Sequence, residues 1–286
     1  GIYVSNSYAF TDNVTAGTIR TVKSFSNHRA DVNFSGGTLE FYGGTDASLI
    51  NTVGSNLYNV LINKSTTRGE DDRALADYEI DRLGNRIPIT RSNTITASGP
   101  LDINGSFTIQ AGFFIAPAEI YVAGNWANQV GPGAFNEGTG TVIFDGAGHQ
   151  YCNYNENFNA ITINKTGALR VNSSTATVTC ASYNWVAGAV DVLLGTFTAT
   201  DLAQSGIYGN FYVNPGATIN LYQDDGQWTD LNGFFYLTGG GAINVTGGSG
   251  ACFPAYSAPA GITMSGGEIN FYTPGLSFVS RPSALT

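Results

Sequence analysis

The chain is poor in charge. Lys, Arg, Asp and Glu make up 12% of its 286 residues, roughly half the usual share, and only Lys23, Lys64 and Lys165 are lysines. A formal net charge of −9 works against binding nucleic acid phosphates or anionic lipid, since both need clustered cations. Long apolar runs are missing as well. The longest cover a handful of residues, such as 112–117, against the roughly 20 that span a bilayer, so no transmembrane segment is expected. Three cysteines, Cys152, Cys180 and Cys252, are too few and too widely spaced for a disulfide framework or a zinc motif, and they read as buried thiols. His28 and His149 stand in unrelated contexts, and no Gly-x-Ser-x-Gly nucleophile elbow occurs. Hydrolase triads have no support.

What the chain does have is glycine and apolar residues. Gly accounts for 37 positions, nearly twice the usual share, which disfavours helices. A hydrophobic content of 42% with 12% aromatics is enough to bury a core and exclude disorder. Internal repeats settle which β architecture applies. The segment 37–43 (GTLEFYG) resembles 140–146 (GTVIFDG), and 56–64 (NLYNVLINK) resembles 157–165 (NFNAITINK). The offset is 103 at Thr38 and Thr141, and 101 at Lys64 and Lys165. Further on, Thr94, Gly105, Gly112 and Phe114 match Thr177, Gly188, Gly195 and Phe197 at a constant offset of 83. The first copy therefore holds about 18 extra residues, all between Lys64 and Thr94.

A finer period lies inside this unit. Ile219, Ile243 and Ile269 are 24 and 26 residues apart within similar apolar-Asn-apolar segments, the length of one coil in which short strands and turns bring the chain back one strand spacing on. Alternating runs such as 161–164 and 176–180 place every second side chain inward. The expected fold is all-β: a single parallel β-helix, or β-solenoid, right-handed, continuous over 1–286, with roughly eleven coils and one charged insertion at 65–93. An Asn follows Ile at Asn63, Asn104, Asn164, Asn220, Asn244 and Asn270. These are expected to form a structural Asn ladder from coil to coil, with a saccharide-binding row as the alternative.

The segments Gly124-Asn125-Trp126, 135–144 (FNEGTGTVIF) and 158–165 (FNAITINK) resemble the repeats of large secreted surface proteins of Bacteroidota. Those proteins repeat a Gly-Asn-Trp segment, a Phe-Asn-x-Gly-Thr-Gly-Thr-Val-x-Phe segment and a Thr-Ile-Asn-Lys segment. The resemblance implies export to the cell surface, often by the type 9 route, and an adhesive or matrix role, without a catalytic residue. Two departures stand out: there is no C-terminal sorting domain, and the insertion after Lys64 is foreign to the repeat.

That insertion carries 12 of the chain's 33 charged residues between Lys64 and Arg91, six acidic and six basic. A short helix is expected over 70–83, ended by Gly84-Asn85 and Pro88. Arg68, Glu70, Asp71, Asp72, Arg73, Arg82 and Arg86 are the candidate partner contacts. Glu70, Asp71, Asp72, Asp224 and Asp225 are candidate Ca²⁺ ligands, because Ca²⁺ takes six to eight oxygens, although neither run has the spacing of a calcium loop. Trp126, Trp185, Trp228, Tyr208, Tyr212 and Tyr222 offer ring faces of the kind saccharides use, and most are expected to fill the core. The outward threonines at Thr175, Thr177 and Thr179 read as ordinary strand residues.

The chain starts at Gly1 and its last segment, 264–272, repeats the opening motif of 34–42, so a larger parent polypeptide or end-to-end self-association is expected. The function expected is a non-catalytic, extracellular structural or adhesive protein of the cell surface, with surface glycans as candidate ligands and no cofactor beyond Ca²⁺. A carbohydrate-binding or polysaccharide-degrading enzyme on the same scaffold is the alternative, since fold does not settle function.

Overall fold

A computed structural model of the chain describes residues 1–4, 13–30, 32–51, 55–65, 78–80, 86–88, 93–200, 206–223, 228–237, 240–247, 250–253, 261–264, 266–272 and 276–278. It is a β-solenoid of about 8 turns with 66% strand and, among the described residues, no α-helix. Alternation drives the strands. Ala176, Val178 and Cys180 are buried, while the alternate residues Thr175 and Thr177 are exposed, so each short strand turns one apolar face inward. The chain divides into two compact units, one of residues 1–119 and 128–138 and one of residues 120–127 and 139–286.

In the first unit, one parallel ladder runs through Ile2–Val4, Phe25–Asn27, Ala47–Asn51, Thr94–Ser98, Phe113–Ile115 and Phe135–Asn136. A second runs through Thr18–Thr21, Thr38–Tyr42, Asn59–Asn63 and Phe107–Ala111. Between them lie Leu39, Leu49, Ile62, Ile95, Phe107 and Phe114, all at most 1% exposed. The aromatic rings stack from coil to coil: Phe107 meets Phe114 edge-on at 4.9 Å, and Phe114 lies parallel to Phe135 at 6.2 Å.

In the second unit, Thr141–Phe144 pairs with residues 160–163 at the start of a 44-residue extended run, Glu156–Ala199, which winds around the coil without a break. From there, 189–192 pairs with 210–213, 210–213 with 234–237 and 234–237 with 261–264. In parallel, 196–199 pairs with 218–221, 218–221 with 242–245 and 242–245 with 268–271. Ile219, Ile243 and Ile269 are direct partners in this ladder, so the 24- and 26-residue period in the sequence is the coil itself. Phe211 and Phe235 stack at 5.3 Å inside it.

The longer repeat is also structural. Thr38–Tyr42 lies against Asn59–Asn63 in the first unit as Thr141 to Phe144 lies against Ala160 to Ile163 in the second. Two expectations are corrected. About eight turns replace roughly eleven, and one coil, from Val60 to its partner Phe107, takes 47 residues because it holds the insertion. And the helix expected over 70–83 is not what forms at Tyr78–Ile80, which pairs antiparallel with Arg86–Pro88. Paired strands bond each other's backbones across the pair, whereas an isolated short helix is marginal on its own.

Gly112 and Gly195, matched at the offset of 83, both turn their corners at positive φ, +91° and +89°. A methyl group at Gly112 would fall 2.5 Å from the Lys64 side chain and 2.6 Å from the Asn93 carbonyl oxygen, and at Gly195 within 2.5 Å of the Ala176 carbonyl oxygen. Gly112→Ala and Gly195→Ala are each expected to lower stability by roughly 2–4 kcal/mol. Gly133→Ala, where the methyl meets nothing within 4 Å, should stay within about 0.5 kcal/mol of the parent. Chemical denaturation reads the contrast, and three equal stabilities would contradict these corners.

Candidate functional site

Stacked coils place equivalent outward residues one strand spacing apart, so functional side chains form columns rather than pockets closed by loops. One column holds Asn220, Asn244 and Asn270. The Asn244 amide donates to Asn220 Oδ1 at 2.8 Å and the Asn270 amide donates to Asn244 Oδ1 at 3.0 Å. Asn220 in turn donates to Thr198 Oγ1 at 3.2 Å. Each such bond is worth on the order of 1 kcal/mol. The other three asparagines lie elsewhere. Asn63 donates to Glu40 Oε1 at 3.1 Å, and Asn104 and Asn164 are exposed.

A second column carries charge and aromatic rings. Tyr151 faces Arg170, whose Nη1 donates to the phenol oxygen at 3.4 Å and whose Nε donates to Asp191 Oδ2 at 2.9 Å. Asp191 faces Tyr212 and also accepts from the Asn214 amide at 3.2 Å. Tyr212 stacks on Tyr236 with centroids 4.5 Å apart and planes within 5°. Burial first, then the neighbouring Tyr236 and Asp191, pushes the Tyr212 phenol up from its ordinary value. Tyr212 and Tyr222 are each 38% exposed, correcting the expectation that most of these aromatics fill the core. Trp126 does fill it, at 1% exposed, while the Trp185 indole sits half-buried and donates to the Gly188 carbonyl at 3.0 Å. The side chains of Trp228 and Tyr208 lie outside the described residues.

Beside the second column is an open cleft of about 670 Å³. Its floor is made of small residues, Gly167, Ala168, Ala187, Gly188 and Ala189, and its walls of His149, Arg170, Asp191, Asn210 and Tyr212. The floor is low because consecutive coils put alanine and glycine where other coils carry larger side chains. Ala168 N–H donates to His149 Nδ1 at 3.2 Å, which places the proton of the neutral ring on Nε2. The Asn210 amide donates to the Gly188 carbonyl at 3.3 Å. The cleft thus combines an apolar base with imidazole, amide, phenol and an internally balanced Arg–Asp pair.

In the sequence Lys64 and Lys165 stand out only as the ends of matching repeat segments. Both are buried, at 0% and 3% exposed. The Lys64 ammonium donates to the carbonyls of Val22 at 2.6 Å and Tyr42 at 2.9 Å, bridging back across earlier coils. The Lys165 ammonium donates to Gly146 O at 3.2 Å, Gly148 O at 2.7 Å and Gln150 Oε1 at 2.6 Å. The signal was present in a chain where two of only three lysines end the same Ile-Asn-Lys phrase. The Gly-Asn-Trp phrase is similarly structural: Asn125 Oδ1 accepts from Tyr151 N–H at 2.9 Å, and the Trp126 indole donates to buried Glu156 at 2.9 Å. Inside the first unit Asn27, fully buried, donates to Asn51 and Ser55 at 3.0 Å each. Cys152 and Cys180 are free and buried, and burial pushes both thiols up, so neither is a reactive thiolate.

Arg68, Glu70, Asp71, Asp72, Arg73, Arg82, Asp224 and Asp225 lie outside the described residues, and Arg86 opens the strand Arg86–Pro88 without a described side chain. Among the described residues no group of three or more His, Cys, Asp or Glu is arranged to hold a metal ion, and no helix is long and apolar enough to cross a membrane. Comparison with protein-family models, curated proteins and solved structures finds no match. The class of the protein therefore rests on its own geometry, a parallel β-solenoid.

Desolvation lowers the Lys165 pKa to about 8, with Asp145 acting in the opposite direction. The unfolded value is near 10.4, so between about pH 8 and 10.5 the unfolded chain binds more proton and this group makes stability rise with pH. Lys165→Met removes the ammonium from three oxygens and is expected to cost roughly 2–4 kcal/mol near pH 7. The gap between parent and variant should then widen from pH 8 to 10.5. Urea titrations across that range check it, and a gap that stays flat would contradict a depressed Lys165.

Proposed function

We propose that this chain is a non-catalytic structural or adhesive protein of an extracellular surface, in which the solenoid is a stiff spacer. The single observation that carries the reading is that outward polar side chains of consecutive coils bond to one another. The Asn220–Asn244–Asn270 column, the Arg170–Asp191 pair and the stacked Tyr212 and Tyr236 rings all tie coil to coil. A surface pair is worth little alone, but a repeated column opposes the sliding of one coil over the next. The first unit repeats the device, with Arg20 paired to Glu40 at 2.9 Å and lying 4.3 Å from the centre of the Tyr42 ring.

The likeness of 124–165 to bacterial surface repeats supports the extracellular placement. End-to-end pairing of parallel coils into filaments is the form of assembly this reading includes. Electron microscopy of the concentrated protein, with a polysaccharide panel assayed for released ends, tests the reading. Elongated particles or strings of them with no release are expected. Isolated compact particles that cleave a polysaccharide would overturn it in favour of an enzyme.

A further inference from the structure

We propose that the cleft between His149 and Tyr212 is a binding site for a neutral saccharide of one to a few pyranose rings. The inference stands apart from the spacer reading, because a spacer needs no cleft. At about 670 Å³ the space falls within the roughly 300–1,000 Å³ typical of ligand sites. Its floor of Ala168, Ala187, Gly188 and Ala189 is small and apolar, suited to the carbon-bound hydrogens of a pyranose face. Its walls supply what the hydroxyls need: the Asn210 amide, the Tyr212 phenol and the His149 ring, whose Nε2 carries the proton when Nδ1 accepts from Ala168.

Charge selects the ligand. Arg170 and Asp191 are joined at 2.9 Å, and the Lys165 ammonium at the cleft is turned onto the carbonyls of Gly146 and Gly148, so among the described residues that line the space each of these charges is partnered. With a net charge of −9 over the whole chain, long-range attraction also works against acidic sugars. In the ring column Tyr212 and Tyr236 each turn one face to the other. The apolar face of a pyranose is then offered the alanines.

Titration calorimetry of the full chain with neutral hexose tetrasaccharides and a uronate tetrasaccharide tests the site. Saturable binding to at least one neutral oligomer is expected, with Asn210→Ala weakening it about tenfold at unchanged circular dichroism and unfolding temperature. Ala189→Leu fills the floor and should abolish binding; because Ala189 is itself buried, Ala187→Leu at the half-exposed edge is the second variant. No heat with any neutral oligomer, a preference for the uronate, or full binding by Asn210→Ala and Ala187→Leu would overturn the proposal. Cleavage of a bound oligomer would count against the spacer reading and leave the cleft assignment standing.

Discussion

Each coil has to return the backbone one strand spacing along the stack with every residue over its counterpart, and the rest of the structure depends on that register. A slip of one residue would turn the inward face of a strand to solvent. Keeping register fixes the core as files of like residues, Ile219 over Ile243 over Ile269 and Phe211 over Phe235. The same constraint acts outside, where asparagine meets asparagine and tyrosine meets tyrosine. A column of amides can satisfy itself only when successive members sit one spacing apart, so each bond in it also holds the register that made it.

Corners are where this arrangement is hardest to maintain, because carbonyls there leave the strand ladder and still need donors. Two solutions recur. Glycine at positive φ, as at Gly112 and Gly195, lets the backbone turn against the coil before it. Buried lysine supplies three protons from one point, and Lys64 and Lys165 direct them at backbone carbonyls 17 to 42 residues earlier in the chain. An ammonium held in this way loses its hydration, which is why Lys165 titrates low. Coil-to-coil bonding through backbone carbonyls costs the protein a desolvated charge and offsets it with several charge-assisted hydrogen bonds.

Much of this was legible from residues alone, because a solenoid writes its register into its sequence. The 24- and 26-residue spacing of the isoleucines, the offset of 83 joining Gly112 to Gly195, and the alternation at 176–180 are the fold seen in one dimension. The column formed by Asn220, Asn244 and Asn270 followed from the same period. Asn63, Asn104 and Asn164 share its Ile-Asn phrase but not its column, since a dipeptide says which face a side chain takes and not which neighbour stands over it. The helix expected over 70–83 came from charge and spacing at a place where local strand pairing between Tyr78–Ile80 and Arg86–Pro88 prevails. The cleft was invisible for a different reason: Ala168, Ala189 and Asn210 are 21 residues apart, and only stacking makes a floor and a wall of them.

In-register stacking of coils bonded through their outward columns is tested most directly by disulfide trapping. Asn220→Cys with Asn244→Cys puts two thiols on directly facing residues of adjacent strands, within the span of about 4.4–6.8 Å between Cα atoms that a disulfide bridges. Asn220→Cys with Ile243→Cys differs by one residue and places the second thiol on the buried face. Stacking predicts that mild oxidation closes the first pair rapidly and leaves the second open. Closure of the shifted pair in preference to the first would contradict it.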